Sequence, residues 1–130
     1  MSLLAVAAAV AAASFAVIAG FQLALAAGLP WGRAAYGGAR DRLPVQLRVV
    51  SAAAFVVWVI VGLTVLRRAG VPVWTPVPDR LLPGTVWVVA GVLVPSLVLN
   101  VITRSRIERA IWAPMCLVAL TATVAVNVLA

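Results

Sequence analysis

Four long apolar runs, separated by short breaks rich in glycine, proline and arginine, constrain this chain more than any other feature. The runs cover residues 3–27, 43–66, 84–102 and 106–129. Each has close to the ~20 residues that a helix needs to cross a hydrocarbon core. A bilayer offers no partners to unpaired backbone groups, so each run must be helical. The sequence therefore predicts an all-α fold: a bundle of four transmembrane helices, joined by short connections, in a single membrane domain.

The composition also requires a membrane. The 130 residues are 65% hydrophobic and 10% charged, with a mean hydropathy of +1.18, which gives more apolar surface than one soluble core could bury. All ten basic residues are arginines, and they lie between the apolar runs instead of forming one basic face. This pattern is typical of membrane topology and of contact with lipid headgroups. We expect membrane lipids as partners and no nucleic acid.

Glycine and proline mark the predicted helix ends and one bend. Gly28 suits the position just past a helix C-terminus, and Pro44 is acceptable in the first turn of the second helix. Pro95 lies inside the third run, where its ring clashes with the carbonyl of Gly91 and leaves that carbonyl without its usual donor. The sequence therefore predicts a third helix kinked at Pro95.

The distribution of arginines predicts the topology. With four crossings, the first and third connections share one side, and the second connection shares the other side with both termini. The first side has seven arginines and the second has three: Arg33, Arg40, Arg42, Arg48, Arg104, Arg106 and Arg109 against Arg67, Arg68 and Arg80. Arginine-rich loops are normally cytoplasmic, so we predict that both termini lie outside. The pair Arg67-Arg68 works against this assignment.

Catalysis and metal binding are not expected. The chain has no histidine, and its only cysteine, Cys116, lies in an apolar run, so no disulfide within the chain and no Cys/His metal site can form. The three acidic residues, Asp41, Asp79 and Glu108, all fall in connections. Nothing resembles a nucleophile–base pair, paired carboxylates in a cleft or a phosphate-binding loop. We predict no enzymatic activity, no cofactor and no metal.

Polar and aromatic residues cluster at the first and third connections, which the predicted topology places on one membrane face. The candidate ligand-binding or partner-binding residues that this arrangement brings together are Gln22, Trp31, Arg33, Tyr36, Asn100, Arg104, Glu108 and Trp112. A simpler interpretation of Trp31 and Tyr36 is that they anchor a compact loop at headgroup level. Loops also carry binding residues more often than other segments do. Both interpretations stay open.

Glu108 has two interpretations as well. The Ser-Arg-Ile-Glu sequence at 105–108 matches a capping box, in which the glutamate side chain returns to the backbone amide of the serine. Alternatively, Glu108 is the counter-charge of a site built from both connections, paired with Arg33 or Arg48 across the bundle or with Arg104 nearby. We prefer the capping box because it needs only local sequence to form.

A set of short motifs extends over most of the chain. They are Pro30-Trp31-Gly32, Tyr36-Gly37-Gly38, Leu43-Pro44, Leu47-Arg48-Val49, Ser51, Asn100, Ser105-Arg106, Glu108-Arg109 and Trp112-Ala113-Pro114. In these motifs the chain resembles an uncharacterised family of short bacterial integral membrane proteins with four helices. The resemblance implies a protein of the bacterial inner membrane. It implies no activity.

Two functions remain open at this point. The first is a non-enzymatic inner-membrane protein, either an accessory and interaction protein or a binder of lipid or a small apolar ligand, whose working surface is the junction of the two motif-bearing connections. The second is a small transporter or channel, oligomeric because four helices enclose little pore volume. Besides lipids, a membrane-protein partner and self-association are both open.

Overall fold

A computed structural model describes all 130 residues, Met1–Ala130. Four long helices form a bundle: α1 (Leu3–Ala26), α2 (Val45–Arg68), α3 (Leu82–Ile102) and α4 (Arg106–Leu129). All four are long and apolar enough to cross a membrane. There are no strands, and the connections contain only three short 3₁₀ turns: Gly32–Ala34, Tyr36–Gly38 and Asp79–Leu81. The predicted all-α four-helix bundle is confirmed.

The end of α1 follows the glycine signal in the sequence. Gly28 has a φ of +93° and donates its N–H to the Leu25 carbonyl at 3.0 Å. Leu29 donates to the Ala24 carbonyl at 3.1 Å. These two bonds satisfy carbonyls that the helix end would otherwise leave unpaired. Residue 27, which we predicted to be helical, is the C-cap of α1.

The bounds of α2 and α3 differ from the predicted ones by two residues. Pro44 is the extended N-cap of α2, with a ψ of 163°, and does not belong to the first turn. The last turn of α2 includes Arg67 and Arg68, where positive charge is favourable beside the unpaired carbonyls. Helix α3 begins at Leu82, with Pro83 in its first turn, where the missing N–H costs no hydrogen bond.

Pro95 lies well inside α3, which runs on to Ile102 without interruption. Because proline has no N–H, the Gly91 carbonyl has no donor from the fourth residue along the chain. The bend at this position stays a prediction.

The packed core occupies the end of the bundle near the termini and the second connection. Helix α1 packs against α2 and α4, and α3 packs against α4, whereas α2 and α3 share a smaller contact. One cluster of buried apolar residues joins all four helices: Ala7, Ala8, Ala11, Phe15, Ile18, Val65, Val86, Val89, Leu93, Ala119, Ala122 and Val126. Five of its members are alanines of α1 and α4, and small side chains allow helices to approach closely in lipid.

Hydrogen bonds of polar side chains also join the helices at this packed end. Arg68 donates from Nε to Asn127 Oδ1 at 2.7 Å and from Nη2 to the Asn127 carbonyl at 3.1 Å. Asn127 in turn donates from Nδ2 to the Pro83 carbonyl at 3.1 Å. These three bonds join the end of α2, the start of α3 and the end of α4.

The outside of the bundle is apolar. Only 25 of the 130 residues are buried, so most of the apolar side chains lie on the surface and need lipid as their solvent. Large hydrophobic side chains are exposed on all four helices, such as Val17, Val56, Val88 and Leu117. The chain is therefore a membrane protein with four candidate spanning helices.

Candidate functional site

The first connection folds into two consecutive 3₁₀ turns with unusual backbone angles. Tyr36, Gly37 and Gly38 all have positive φ, at 48°, 82° and 73°. A Cβ added at Gly38 would lie 2.7 Å from the Arg33 carbonyl oxygen and 2.8 Å from Ser105 Oγ. Glycine at position 38 therefore lets the first connection fold on itself and touch the third connection.

Three hydrogen bonds attach the first connection to the start of α4. Each joins a side chain of the third connection or α4 to a backbone group of the first connection: Ser105 Oγ to the Arg33 carbonyl (2.8 Å), Glu108 Oε1 to the Gly37 N–H (2.7 Å) and Trp112 Nε1 to the Ala34 carbonyl (2.8 Å). The three side chains lie on one helical face, since they are three or four residues apart. The two motif-bearing connections therefore meet.

Only half of the predicted capping box forms. Ser105 Oγ accepts the Glu108 N–H at 3.2 Å, as expected of an N-cap. The Glu108 carboxylate does not return to the Ser105 amide, which donates to Thr103 Oγ1 at 3.3 Å. It reaches across the bundle to Gly37 instead. The prediction of the reciprocal half of the box is wrong, because Gly37 of the first connection offers the carboxylate a backbone donor and the Ser105 amide already donates to Thr103.

The predicted ion pairs of Glu108 are also absent. Arg33 pairs with Asp41 at 2.7 Å, and Arg48 donates to the Ala26 carbonyl at 3.2 Å. Arg104 is exposed and makes no salt bridge. Glu108 therefore bonds across the bundle, as the second interpretation required, but to a backbone amide and not to an arginine.

A cavity of about 490 Å³ lies beneath this junction, in the half of the bundle opposite the packed core. All four helices and the first and third connections contribute to its wall, which is lined by Ile18, Phe21, Gln22, Ala34, Ala35, Tyr36, Gly37, Trp58, Leu93, Ser96, Leu99, Asn100, Ile102, Thr103, Glu108, Trp112 and Cys116. Tyr36, Leu99 and Ile102 are exposed, Ile102 by 68%. The cavity therefore opens sideways, past the last turns of α3.

Aromatic rings form one wall. The Phe21 ring lies between two tryptophans: its centroid is 4.6 Å from that of Trp112, with the rings tilted by 53°, and 6.2 Å from that of Trp31, with the rings nearly parallel. Trp58 faces the cavity from α2. These rings give the site a rigid apolar surface.

The polar atoms of the cavity are few, and some lack partners. Asn100 Nδ2 donates to the Ser96 carbonyl at 2.8 Å and lies 3.7 Å from Cys116 Sγ. Gln22 Oε1 is buried and has no donor. The Tyr36 hydroxyl is hydrogen-bonded to Ser51 Oγ at 2.9 Å, which holds its ring against α2. The arrangement suits a largely apolar molecule with one polar end.

Five of the eight predicted site residues line the cavity: Gln22, Tyr36, Asn100, Glu108 and Trp112. Trp31 does not line the cavity, and its ring stacks on that of Phe21. Arg33 contributes its backbone to the junction, but its side chain points to Asp41 and Gly38 outside the cavity. Arg104 is exposed on the surface and is not among the lining residues.

Phe21, Trp58, Ser51 and Cys116 belong to the site or its support, and sequence reasoning missed them. Cys116 had a usable signal, since it lies four residues after Trp112 and eight after Glu108, on the same helical face. No group of three or more His, Cys, Asp or Glu side chains lies together in the structure.

Comparison with protein-family models, curated proteins and solved structures finds no match to this chain. The fold and the cavity define a four-helix membrane protein with a mostly apolar cavity beneath its first and third connections.

Proposed function

We propose that this chain is a non-enzymatic membrane protein that binds a lipid or a small apolar ligand in the cavity beneath its first and third connections. One observation carries the proposal: a mostly apolar cavity of about 490 Å³ whose lining includes the exposed residues Leu99 and Ile102 of α3. Ligand sites typically have volumes of about 300–1,000 Å³, apolar walls and a few convergent polar groups. The cavity has all three properties.

The resemblance to short bacterial four-helix membrane proteins supports a location in the inner membrane. The matching motifs include Gly32, Gly37 and Gly38 in the first connection, together with Ser105 and Glu108 near the start of α4. In the structure these segments contact each other through side chain to backbone hydrogen bonds. Motif residues that meet in space are what a shared binding site requires, so we propose membership of this family.

We propose that both termini lie outside and that the cavity faces the cytoplasmic side. The support is the excess of arginines near the first and third connections over the second. Arg40, Arg42, Arg104 and Arg106 are exposed there, where they are available to anionic headgroups.

A transporter or channel is the less favoured function. A single copy would need a polar passage from one side to the other. The cavity instead ends at the packed core, where Phe15, Val86, Leu93 and Val126 fill the bundle interior. Transport would therefore require a passage between several copies. An accessory role, with a membrane-protein partner or a second copy docked on the junction, is compatible with ligand binding.

The test is purification in a mild detergent, followed by mass spectrometry of bound small molecules. We compare the chain with two neighbouring substitutions on α4, Cys116→Phe and Leu117→Phe. Cys116 is buried and lines the cavity, whereas Leu117 is 53% exposed on the lipid side. We expect the unsubstituted chain and Leu117→Phe to retain the same ligand, and Cys116→Phe to lose it because the ring fills the site.

Equal retention by all three proteins would place the ligand elsewhere and overturn the proposal. Reconstitution into liposomes tests the alternative function. We expect no conductance or solute flux, and a stable higher oligomer with a conductance would favour the channel.

A further inference from the structure

The carboxylate of Glu108 is buried and only half satisfied. The residue is 7% exposed, and its Oε1 accepts the Gly37 N–H at 2.7 Å. No arginine lies within 4.0 Å of it. Its other oxygen, Oε2, has no hydrogen-bond partner and keeps some accessible surface. Glu108 itself lines the cavity. A carboxylate in such a place normally has a positive partner.

Glu108 is the only charged residue that lines the cavity. Three arginines in or next to the two connections make their hydrogen bonds elsewhere. Arg33 bonds to Asp41, Arg48 to the Ala26 carbonyl, and Arg109 to the Thr103 carbonyl. The Glu108 carboxyl group therefore has no arginine partner, although several exposed arginines lie in or next to the two connections.

The aromatic wall next to this carboxylate also favours a cation. Trp112 lies four residues after Glu108 on the same face of α4, and Tyr36 precedes Gly37, the partner of the carboxylate. Phe21 packs against Trp112. The faces of such rings attract an ammonium group, and they do so more strongly where water is excluded.

We propose that the cavity binds an amphipathic molecule with a primary ammonium head and an apolar tail. The ammonium group donates a hydrogen bond to Glu108 Oε2 and lies against the aromatic wall, and the tail leaves past Leu99 and Ile102 toward lipid. This inference rests on the proposed function, because it names the class of ligand for the same cavity.

The experiment compares three probes with the same tail and different heads: dodecylammonium, dodecanol and dodecyl sulfate. Binding to the chain in phosphatidylcholine nanodiscs is followed by tryptophan fluorescence, since Trp58 and Trp112 line the cavity. Probe uptake by empty nanodiscs is subtracted. We expect dodecylammonium to bind about tenfold more tightly than dodecanol, because hydrogen bonds to charged groups are the stronger ones. Dodecyl sulfate should bind least.

The decisive variant is Glu108→Gln, which removes the charge but keeps an oxygen to accept the Gly37 N–H. Its matched control is Asp41→Asn, which removes the same charge from the neighbouring first connection, at a residue whose side chain is 65% exposed. We expect Glu108→Gln to abolish the preference for dodecylammonium over dodecanol and Asp41→Asn to retain it. A preference that survives in Glu108→Gln would overturn the inference.

The other outcomes separate this inference from the proposed function. Binding of dodecanol or dodecyl sulfate as tight as that of dodecylammonium would contradict the ammonium class but leave a ligand site. Binding of none of the three would contradict both. If Glu108→Gln does not fold, competition in the unsubstituted chain decides: excess dodecylammonium should displace bound dodecanol, and failure to do so contradicts the inference.

One further arm identifies the source of the ammonium group. Phosphatidylethanolamine, which has a primary ammonium, is titrated into the nanodiscs in place of phosphatidylcholine, which has none. Competition with dodecylammonium assigns the site to a lipid headgroup, and lack of competition assigns it to a free amphipathic amine. Both results support a primary ammonium ligand.

Discussion

Gly37 and Gly38 are adjacent, and both have positive φ, but their surroundings differ. A Cβ at Gly37 would meet nothing within 4 Å, whereas one at Gly38 would collide with the Arg33 carbonyl oxygen and with Ser105. An alanine in the left-handed region costs about 1–2 kcal/mol at either position. We expect Gly38→Ala to lose about 1–3 kcal/mol more than Gly37→Ala, because added volume in a packed place forces the backbone to move.

Equilibrium unfolding in mixed micelles measures both glycine variants. Gly37→Ala is the matched control for the backbone conformation. Equal losses for the two variants would show that the first and third connections do not pack as closely as the distances at Gly38 indicate.

Ser105 and Ser2 are both N-caps, so they form a natural pair for comparison. Ser2 Oγ accepts the Ala5 N–H at 3.1 Å at an exposed helix start. Ser105 Oγ accepts the Glu108 N–H and also donates to the Arg33 carbonyl. Loss of a cap costs about 0.5–2 kcal/mol, and loss of one further hydrogen bond costs about 0.5–1.5 kcal/mol. We expect Ser105→Ala to be the more destabilising of the two substitutions.

The same unfolding measurement compares Ser105→Ala with Ser2→Ala. If Ser2→Ala proved as costly as Ser105→Ala, the bond across the connections would contribute nothing. The cap itself could be predicted from the sequence because it depends on four consecutive residues. The partner of Glu108 could not, because it is a backbone amide 71 residues away that only the folded bundle brings near.

At the level of the helices, asparagine plays different parts at the two ends of the bundle. Asn127 makes three hydrogen bonds with Arg68 and Pro83, and these join three helix ends. Asn100 bonds mainly within its own helix, to Ser96, and reaches Cys116 only at 3.7 Å. Hydrogen bonds between helices in membranes contribute about 0.6 kcal/mol on average and up to about 1.7 kcal/mol.

We therefore expect Asn100→Leu to cost no more than about 0.6 kcal/mol of unfolding free energy and Asn127→Leu to cost about 1.7 kcal/mol or more. Asn127→Leu also leaves the Arg68 guanidinium without its acceptor. Unfolding in mixed micelles again provides the measurement. A larger loss of unfolding free energy for Asn100→Leu than for Asn127→Leu would contradict the conclusion that hydrogen bonds join the helices mainly at the packed end.

The helices themselves could be predicted from length and hydropathy, because a bilayer imposes one solution on long apolar runs. The helix ends were predictable where a local signal exists, as at Gly28. The ends of α2 differ from the predicted ones by two residues, because Pro44 and Arg67 are each compatible with more than one boundary. The bonds of Arg68 to Asn127 were not foreseeable, since they depend on which helix ends the packing brings together.

For the whole molecule, the structure fixes which connections share a side, and a labelling experiment tests the absolute orientation. In a Cys116→Ser background, single cysteines replace Ala39 in the first connection, Val77 in the second, or Arg106 next to the third. We expect a membrane-impermeant thiol reagent added to intact cells to label only the cysteine at Val77. The reason is the arginine excess near the other two connections.

Labelling after the cells are opened is the control, and all three positions should then react. Labelling of Ala39 and Arg106 but not Val77 in intact cells would reverse the proposed orientation. Labelling of the cysteines at Ala39 and Arg106 from opposite sides would contradict the bundle itself, because the first connection is hydrogen-bonded to Ser105 and Glu108, on either side of Arg106.

The division of the molecule into a packed end and a hollow end was only partly predictable. Gln22, Asn100 and Trp112 were identified as site residues because the topology places them near one membrane face. The cavity between these residues was not foreseeable from the sequence. It depends on the small contact between α2 and α3 and on the Trp58 side chain lining the cavity.

The sideways opening beside Leu99 and Ile102 lies at one depth only, close to the first and third connections. The packed core closes the other half of the bundle. An amphiphile that approaches through the bilayer can therefore enter only from the leaflet at the hollow end. A molecule that is supplied to the opposite leaflet must first flip across the membrane, so the rate of flipping, and not the affinity of the cavity, would set how quickly it is bound.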